Sequence, residues 1–154
     1  MKFLCDQMLG TLAKWLRIYG FDTFFANAEI DDDDLLTISI NENRILITRD
    51  KELVVRSKKI NLQVIEIKST DLEKQLRQVL KDVEINKDLF LSRCLICNDL
   101  VSKISKGEVK NKVPKHAFEN NDDFFFCKRC NKIYWTGSHT DNMIEKMRKL
   151  SASV

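Results

Sequence analysis

Short apolar runs alternate with helically spaced apolar residues along the first half of the chain. Four runs predict buried strands, at residues 2–6, 21–25, 45–48 and 62–67. Apolar residues three and four positions apart predict the intervening helices, at residues 7–19, from the aspartate run to about 43, at 51–57 and at 70–83. Because strands alternate with helices, we expect an α/β fold with a mostly parallel sheet flanked by helices.

The second half of the chain has a different pattern. Residues 86–92 are the expected junction between an α/β domain over residues 1–90 and a smaller module over residues 91–154. The module is short and rich in Lys and Val, which indicates a few antiparallel strands. A last helix is predicted over residues 141–150, because its apolar residues share one face: Met143, Ile144, Met147 and Leu150.

Two local signals predict helix ends. Gly20 follows the last periodic residue of the first helix, where a left-handed glycine ends many helices. Thr70 and Glu73 have the spacing of a capping box, which predicts that the fourth helix begins there.

Two of the predicted strands end at an aspartate. Asp6 follows the first apolar run, and Asp50 follows the apolar residues 45–47 after two polar residues, Thr48 and Arg49. In an open α/β sheet, ligands bind outside the carboxyl ends of the strands. The two strand ends therefore predict a shared acidic pocket.

Five carboxylates in six residues, Glu29-Ile-Asp-Asp-Asp-Asp34, precede the second predicted helix. An aspartate before an apolar run caps a helix, and further acids in the first turn interact favourably with the helix dipole. This structural interpretation explains at least two of the aspartates. Four in a row exceed what capping needs, so a divalent cation is the second interpretation, since hard cations prefer carboxylate oxygens.

Four of the five cysteines form two Cys-x-x-Cys pairs, Cys94 with Cys97 and Cys127 with Cys130. Two such turns supply four thiolates to one tetrahedral Zn²⁺, whereas a redox dithiol needs a single pair. Asn98 directly follows the first pair and Asn131 the second, where each turn often needs a left-handed residue. The pairs predict a structural zinc in a zinc ribbon, whose folding energy comes mostly from the metal.

Composition and charge narrow the functional classes. The chain is 44% hydrophobic and 32% charged. No apolar run approaches the roughly 18 residues of a membrane span, and no signal peptide opens the chain, so the expected location is cytoplasmic and no membrane partner is expected. Neither a Gly-x-Gly-x-x-Gly sequence nor a Walker loop is present, which gives a nucleotide cofactor no support.

The two halves differ in charge. Residues 1–90 hold 14 Lys and Arg against 16 Asp and Glu, a net of −2, and residues 91–154 hold 12 against 7, a net of +5. Basic residues interleaved with aromatics are typical of surfaces that follow a nucleic-acid backbone, although a chance imbalance of solvated charge is the alternative. The run at residues 124–126 is better interpreted as core. For His139, zinc ligation is less favoured than a phosphate contact or a packed turn.

Motifs spread over residues 2–148 together resemble the Mut-seven C-terminal RNase domain family. In chain order they are Asp6-Gln-Met-Leu-Gly-Thr-Leu-Ala-Lys-Trp-Leu-Arg-Ile-Tyr-Gly-Phe-Asp22, Asp32-x-x-Leu-Leu, Ile47-Thr-Arg-Asp50, Arg93-Cys-x-x-Cys-Asn98, Cys127-x-x-Cys130 and Tyr134-Trp-x-Gly-Ser-His139. The resemblance implies a PIN-like nuclease domain followed by a zinc ribbon.

The resemblance also implies a metal-binding set of carboxylates, which corresponds here to Asp6, Asp32 and Asp50. Asp34 is the substitute if the register of the aspartate run has slipped, and no fourth acid is matched, which leaves one or two metals open. Mg²⁺ or Mn²⁺ suits such ligands. Arg49, beside Asp50, is the best placed candidate for a phosphate contact. Lys14 and Arg17 are further candidates, although such side chains are more often solvated charges.

The functional hypothesis is a metal-dependent ribonuclease, specifically an endoribonuclease, whose zinc ribbon binds RNA. The main alternative is a non-catalytic RNA-binding module of an RNA-processing or ribosome-associated assembly. A third, weaker interpretation treats the acidic run as capping only and the ribbon as a protein-docking element. The sequence leaves the oligomeric state open, and it contains no evident reader of the 2′-hydroxyl that separates RNA from single-stranded DNA.

Overall fold

A computed structural model describes residues 1–152, without the side chains of residues 139, 147 and 150–152. The chain forms two compact units. The first comprises residues 1–16 and 21–83, and the second comprises residues 17–20 and those from Glu84 onward. The division of the chain into domains over residues 1–90 and 91–154 remains a prediction.

A four-stranded parallel sheet forms the centre of the first unit. Its strands are β1 (Lys2–Cys5), β2 (Asp22–Phe25), β3 (Ile45–Thr48) and β4 (Val64–Glu66). Their spatial order is β2, β1, β3, β4, and every neighbouring pair is parallel. Three consecutive residues of β1, Phe3, Leu4 and Cys5, are fully buried. A strand covered on both faces shows this pattern, and it confirms the predicted α/β architecture.

Four helices follow the strands: α1 (Gly10–Ile18), α2 (Asp32–Asn41), α3 (Lys51–Lys59) and α4 (Leu72–Leu80). A short 3₁₀ turn at Gln7–Leu9 precedes α1, so the predicted helix begins more tightly than expected. The predicted apolar stripe is confirmed, because its members are all buried: Leu9, Leu12, Ala13 and Leu16.

One apolar cluster joins the elements that carry the acids. It contains Leu4 of β1, Leu46 of β3, Leu35 and Leu36 of α2, and Leu53 of α3. Burial of each such side chain stabilises the fold by about 1.5–3 kcal/mol. The cluster thereby fixes the start of α2 and the start of α3 relative to the ends of the two central strands.

The predicted capping box at the start of α4 is wrong. The N-cap is Asp71, whose Oδ1 accepts a hydrogen bond from the Lys74 amide at 2.9 Å. The Ser69 hydroxyl oxygen accepts from the Asp71 amide at 3.0 Å, which holds the preceding turn. Aspartate caps helices at least as well as threonine, and Asp71 lies one residue closer to the apolar run.

Gly20 ends the first helix as predicted. Its φ is +90°, and its amide donates to the Arg17 carbonyl at 2.9 Å. A Cβ atom at this position would lie 2.4 Å from the carbonyl oxygen of Leu89. Both the backbone conformation and the close approach therefore require glycine.

The second unit contains a three-stranded antiparallel sheet in the order β5 (Ser102–Ile104), β6 (Phe124–Cys127), β7 (Lys132–Tyr134). Its helices are α5 (Lys106–Val109), α6 (Lys115–Asn120) and α7 (Ser138–Ala152). Phe124 is fully buried, as predicted, but Phe125 and Phe126 are only half-buried. The small antiparallel sheet is the predicted ribbon.

The last predicted helix lies within α7. Ile144 is buried and Met143 is half-buried, in agreement with an apolar face. The side chains of Met147 and Leu150, the other predicted members of that face, lie outside the described residues. No helix within residues 1–152 has the length and hydrophobicity needed to cross a bilayer.

Candidate active site and metal centre

Two aspartates follow adjacent strands at the carboxyl edge of the parallel sheet. β1 pairs with β3 so that Cys5 lies opposite Ile47. The Asp6 amide donates to the Ile47 carbonyl at 3.0 Å, which extends this pairing by one residue. Asp50 lies two residues beyond β3, where it caps α3. The structure therefore brings Asp6 and Asp50 to the same edge of the sheet.

Thr48, the last residue of β3, connects these two aspartates. Its hydroxyl donates to Asp6 Oδ2 at 2.9 Å and accepts from the Asp50 amide at 3.0 Å. Thr48 is fully buried, and its β-branched side chain has little rotamer freedom. The hydroxyl therefore orients the Asp6 carboxylate and fixes the backbone that leads to Asp50. Sequence reasoning missed this role, although a polar residue at a strand end two positions before Asp50 was the available signal.

The other hydrogen bonds of the two carboxylates come from backbone amides. Asp6 Oδ1 accepts from the Gln7 amide at 2.7 Å. Asp50 Oδ1 accepts from the amides of Glu52 and Leu53 at 2.9 and 3.2 Å. Asp50 Oδ2 has no hydrogen-bond partner among the described residues, so it is available to a ligand outside the sheet.

The four consecutive aspartates at the start of α2 have different surroundings. Asp31 is the N-cap, and its Oδ1 accepts from the Asp34 amide at 2.8 Å. Asp33 accepts a hydrogen bond from Arg56, and Asp32 lies 3.9 Å from the same guanidinium. Asp34 is exposed, and the described part of the chain contains no ion-pair partner for its carboxylate. The capping interpretation is thus confirmed for Asp31.

Asp32 is electrostatically coupled to the two strand-end acids. Partial removal from solvent raises the pKa of its carboxyl group, and the negative charges of Asp50 and Asp6 raise this pKa further. The Arg56 guanidinium lowers it, and Glu52 raises it. Asp6, Asp32 and Asp50, which are far apart in sequence, therefore share one electrostatic environment at the sheet edge.

The acidic group has the donor chemistry of a hard-cation site. Carboxylate oxygens with few competing hydrogen bonds suit Mg²⁺ or Mn²⁺, which keep several water ligands and need only one or a few carboxylates. The carboxylate oxygens of this group do not approach one another as closely as the sulfur atoms of the cysteine cluster do. Among the residues with described side chains, only the cysteines bring three or more candidate ligand atoms within 4.8 Å of one another.

Glu52 is a further acid that sequence reasoning did not single out. It lies in the first turn of α3, two residues after Asp50, and its charge acts on Asp32. The available signal was its place two residues after a strand-end aspartate.

The three basic residues predicted as candidate phosphate contacts have different surroundings in the structure. Arg49 is half-buried between β3 and α3, with no ion-pair partner among the described residues, and Lys14 is exposed. Arg17 is buried, and its Nη1 donates to the carbonyls of Leu95 at 2.8 Å and Ile96 at 3.2 Å. The phosphate-contact interpretation of Arg17 is wrong, because its guanidinium supports the first cysteine turn instead.

The four cysteines of the second unit form one cluster, and the predicted site is confirmed as a group able to hold a metal. The sulfur atoms of Cys94, Cys97, Cys127 and Cys130 all lie within 4.8 Å of one another, and those of Cys97 and Cys127 are 3.6 Å apart. Tetrahedral Zn²⁺ with Zn–S bonds of about 2.3 Å places its sulfur atoms ~3.8 Å apart. The cluster therefore fits zinc.

The turns that hold the cysteines have the expected backbone. Asn98 has a φ of +69° and Asn131 a φ of +53°, which confirms the left-handed residue predicted after each pair. Amides point at the sulfur atoms, since Ile96 N lies 3.4 Å from Cys94 Sγ and Cys130 N lies 3.4 Å from Cys127 Sγ. Such N–H groups stabilise thiolates.

Cys94 is the cysteine most disposed to ionise. Burial alone would raise the pKa of its thiol, but hydrogen bonds from the Tyr134 hydroxyl and from the amides of Cys97 and Ile96 lower this pKa to about 6. The Tyr134 hydroxyl oxygen lies 3.1 Å from Cys94 Sγ. Burial raises the pKa of Cys97 to about 12. Burial thus disfavours the Cys97 thiolate, whereas hydrogen bonds favour the Cys94 thiolate.

His139 was the remaining candidate around the cysteines. It lies in α7, and its side chain is outside the described residues. The three interpretations of this residue, as a phosphate contact, a packed turn residue or a zinc ligand, therefore stay predictions.

A basic groove lies on the second unit. Its volume is about 970 Å³, and it runs along β5, β6 and β7. Four lysines and two aromatic residues contribute to its lining, together with one acid, Glu108: Lys103, Lys112, Lys128, Lys132, Phe126 and Trp135. Lys103 is paired with the exposed Asp123 at 2.8 Å, but such exposed pairs are weak.

Comparison with known proteins supplies one match. Residues 1–147 of the 154 match the family model described as the Mut7-C RNAse domain. Neither a curated protein nor a solved structure matches the chain. The match confirms the family resemblance seen in the motifs, and an RNase domain implies RNA as the substrate.

Proposed function

This chain belongs to the Mut7-C RNase domain family, and we propose that it is a divalent-metal-dependent ribonuclease that hydrolyses RNA phosphodiester bonds internally. The observation that carries the proposal is the coupling of three acids at the carboxyl edge of a parallel sheet. Thr48 connects Asp6 with Asp50, and the charges of both raise the pKa of Asp32.

In this proposal Asp6, Asp32 and Asp50 hold Mg²⁺ or Mn²⁺. When bound, such a cation polarises the scissile phosphoryl group and lowers the pKa of a coordinated water. The chain's own residues then orient the reaction: Thr48 holds Asp6, and the Glu52 and Leu53 amides hold Asp50 Oδ1 so that Oδ2 faces the ligand. The resulting fixed geometry lowers the entropic cost of bringing water and phosphate together.

Asp32 is favoured over Asp34 as the third ligand. A carboxylate whose pKa is raised by two neighbouring negative charges is stabilised when a cation neutralises them. Asp34 remains the alternative. Arg49 is proposed as a phosphate contact because it is adjacent to Asp50 and has no ion-pair partner among the described residues.

The nuclease proposal is tested by cleavage of a single-stranded RNA in Mn²⁺ by wild type, Asp6→Asn and Asp50→Asn. We expect each variant to lose at least about 100-fold in kcat, since each removes a carboxylate charge from the cation site. Asparagine also caps helices, so Asp50→Asn should keep α3. Glu29→Gln is the matched control, because it removes an exposed negative charge just before α2 and should retain activity. Unchanged cleavage by Asp6→Asn and Asp50→Asn would contradict the proposal.

We further propose that the cysteine cluster holds structural Zn²⁺ and that the zinc ribbon binds RNA. The basic groove supports this, because its lysines match a phosphate backbone and Trp135 offers a ring for base stacking. The thiols of such a site persist in a reducing compartment, which agrees with a cytoplasmic location.

Salt-dependent RNA binding tests the ribbon. Lys128→Ala with Lys132→Ala should weaken binding and reduce the slope of log K against log salt by about one for each phosphate that is no longer neutralised. Lys58→Ala, an exposed lysine of α3, is the control and should leave the slope unchanged. Equal slopes for wild type and the double variant would refute this role of the groove.

One observation favours the alternative of a non-catalytic RNA-binding module in an RNA-processing or ribosome-associated assembly. The acids do not approach one another as closely as the cysteines do. That alternative predicts salt-dependent RNA binding without cleavage in Mg²⁺, Mn²⁺ or any other divalent ion. The cleavage assay on the wild type separates the two functions.

A further inference from the structure

Arg56 is a cation that the structure places beside the acids of the candidate active site. It lies in the last turn of α3, the helix that Asp50 caps. Its Nη2 donates to Asp33, and its Nη1 lies 3.9 Å from Asp32 Oδ2. The side chain is 38% exposed, so a ligand can reach the guanidinium from solvent.

The guanidinium of Arg56 retains unused donors. A separation of 3.9 Å is too long for a hydrogen bond, so its attraction to Asp32 is coulombic. Within the described part of the chain, Nε and Nη1 have no hydrogen-bond partner. A planar guanidinium in this state matches the paired oxygens of a phosphate.

We propose that Arg56 binds the phosphodiester that is cleaved and that Asp33 positions Arg56 for this contact. The inference rests on the proposed ribonuclease function and adds a residue pair to it. It also gives separate roles to three members of the aspartate run: Asp31 caps α2, Asp32 interacts electrostatically with the strand-end acids, and Asp33 holds Arg56.

Arg56 has opposite effects on the two ligands of such a site. Its positive charge beside Asp32 opposes the binding of a divalent cation, whereas the same charge attracts a phosphate. Removal of the charge should therefore tighten metal binding, weaken RNA binding and slow cleavage. A salt bridge that only holds α2 against α3 would not separate the two in this way.

Asp33 provides an independent test. Asp33→Asn keeps the guanidinium but removes the carboxylate that holds it to one side of Asp32. Arg56 should then pair with Asp32 directly, so Mn²⁺ binding should weaken and cleavage should fall. Glu29→Gln removes an exposed negative charge just before α2 without touching Arg56, so the difference between the two variants isolates the positioning effect.

The experiment measures Mn²⁺ affinity by calorimetry, RNA affinity in buffer without added Mg²⁺ or Mn²⁺, and cleavage at saturating Mn²⁺. The proteins are zinc-loaded full chains of wild type, Arg56→Gln, Arg56→Lys and Lys58→Gln. For Arg56→Gln we expect about threefold tighter Mn²⁺ binding, about threefold weaker RNA binding and at least about tenfold slower cleavage. Arg56→Lys should keep wild-type Mn²⁺ affinity but not full cleavage, and Lys58→Gln should match wild type throughout.

Two results would overturn the assignment of Arg56 while the ribonuclease proposal stands. One is wild-type cleavage by Arg56→Gln. The other is a joint loss of Mn²⁺ binding and cleavage, which would mean that Arg56 only holds Asp32 in place. If the wild type itself neither binds Mn²⁺ nor cleaves RNA, the proposed function fails and the assignment fails with it.

Discussion

The acidic sheet edge and the cysteine cluster are both candidate metal centres, but they are built differently. Each cysteine turn supplies two ligands from four consecutive residues, and the sulfur atoms lie within 4.8 Å of one another. Each aspartate of the sheet edge comes from a different segment and depends on the packing of β1, β3 and α2. We expect the cysteine cluster to depend on zinc for a stable arrangement, whereas the acidic edge is held by the core of the first unit.

Loss of zinc should have the largest effect on folding, and it should affect the second unit but not the sheet of the first unit. Chelation, or Cys127→Ser, should unfold the antiparallel sheet of the second unit, because structural zinc supplies about 10–16 kcal/mol in zinc-finger peptides. Backbone NMR would follow β5, β6 and β7 separately from β1 to β4. Cys5→Ala, which removes the cysteine outside the cluster, should keep zinc binding. A second unit that keeps its NMR dispersion after chelation would contradict this contrast.

Arg17→Met should have the next largest effect, and it acts on the cysteine turn. The change leaves the Leu95 and Ile96 carbonyls without their charged donor, at a cost of about 2–3 kcal/mol. Zinc affinity should fall about tenfold, as for other groups that support metal ligands. A competition titration with a zinc-binding dye measures this. Lys14→Met, an exposed change in the same helix, should leave the affinity unchanged.

Thr48→Val should have a smaller effect, a moderate loss of both stability and Mn²⁺ affinity at the acidic edge. Valine has nearly the same shape but cannot bond to Asp6 Oδ2 or the Asp50 amide, which should cost about 1–3 kcal/mol of unfolding free energy. Mn²⁺ affinity should fall as well, because the Asp6 carboxylate is no longer oriented. Thr48→Ser keeps the hydroxyl and should restore the affinity. Equal Mn²⁺ affinities for the valine and serine variants would show that the hydroxyl has no such role.

Asp32→Asn should have the smallest effect, and unlike the preceding variants it should stabilise the metal-free fold. The pKa of Asp32 is raised in the folded protein, so ionisation above that pKa costs the folded state more than the unfolded state. In metal-free buffer at neutral pH the variant should melt roughly 1–2 °C above Asp34→Asn, its control in the same turn. The difference should vanish below about pH 4, where the aspartate is protonated in both states. Excess Mn²⁺ should stabilise the control more than Asp32→Asn, as scanning calorimetry would report.

The parts of the molecule that follow from local sequence were predictable. The strand at Ile45–Thr48 follows from a β-branched run, and the left-handed Asn98 and Asn131 follow from the turns they end. Gly20 was predictable for the same reason. Each depends on neighbours in sequence, whose spacing limits the backbone to a few conformations.

The sequence-based predictions failed in two situations. In one, two neighbouring residues compete for the same role, and in the other, a residue has a partner that is distant in sequence. Asp71 competes with Thr70 for one cap position, and the aspartate wins. Arg17 looked like a solvated charge until the fold placed it against carbonyls 78 and 79 residues away. Arg56 meets Asp33 across 23 residues, so no local pattern identifies the pair.

The central claim is that the acids of the sheet edge, and not the cysteines, receive a divalent cation of the Mg²⁺ type. Titration of ¹⁵N-labelled, zinc-loaded protein with Mn²⁺ tests it most directly, because the paramagnetic ion broadens amide signals near its site. We predict selective broadening at Asp6, Thr48 and Asp50 and at the start of α2, and loss of this broadening in Asp6→Asn. Broadening centred on the cysteine turns, or none at millimolar Mn²⁺, would contradict the claim.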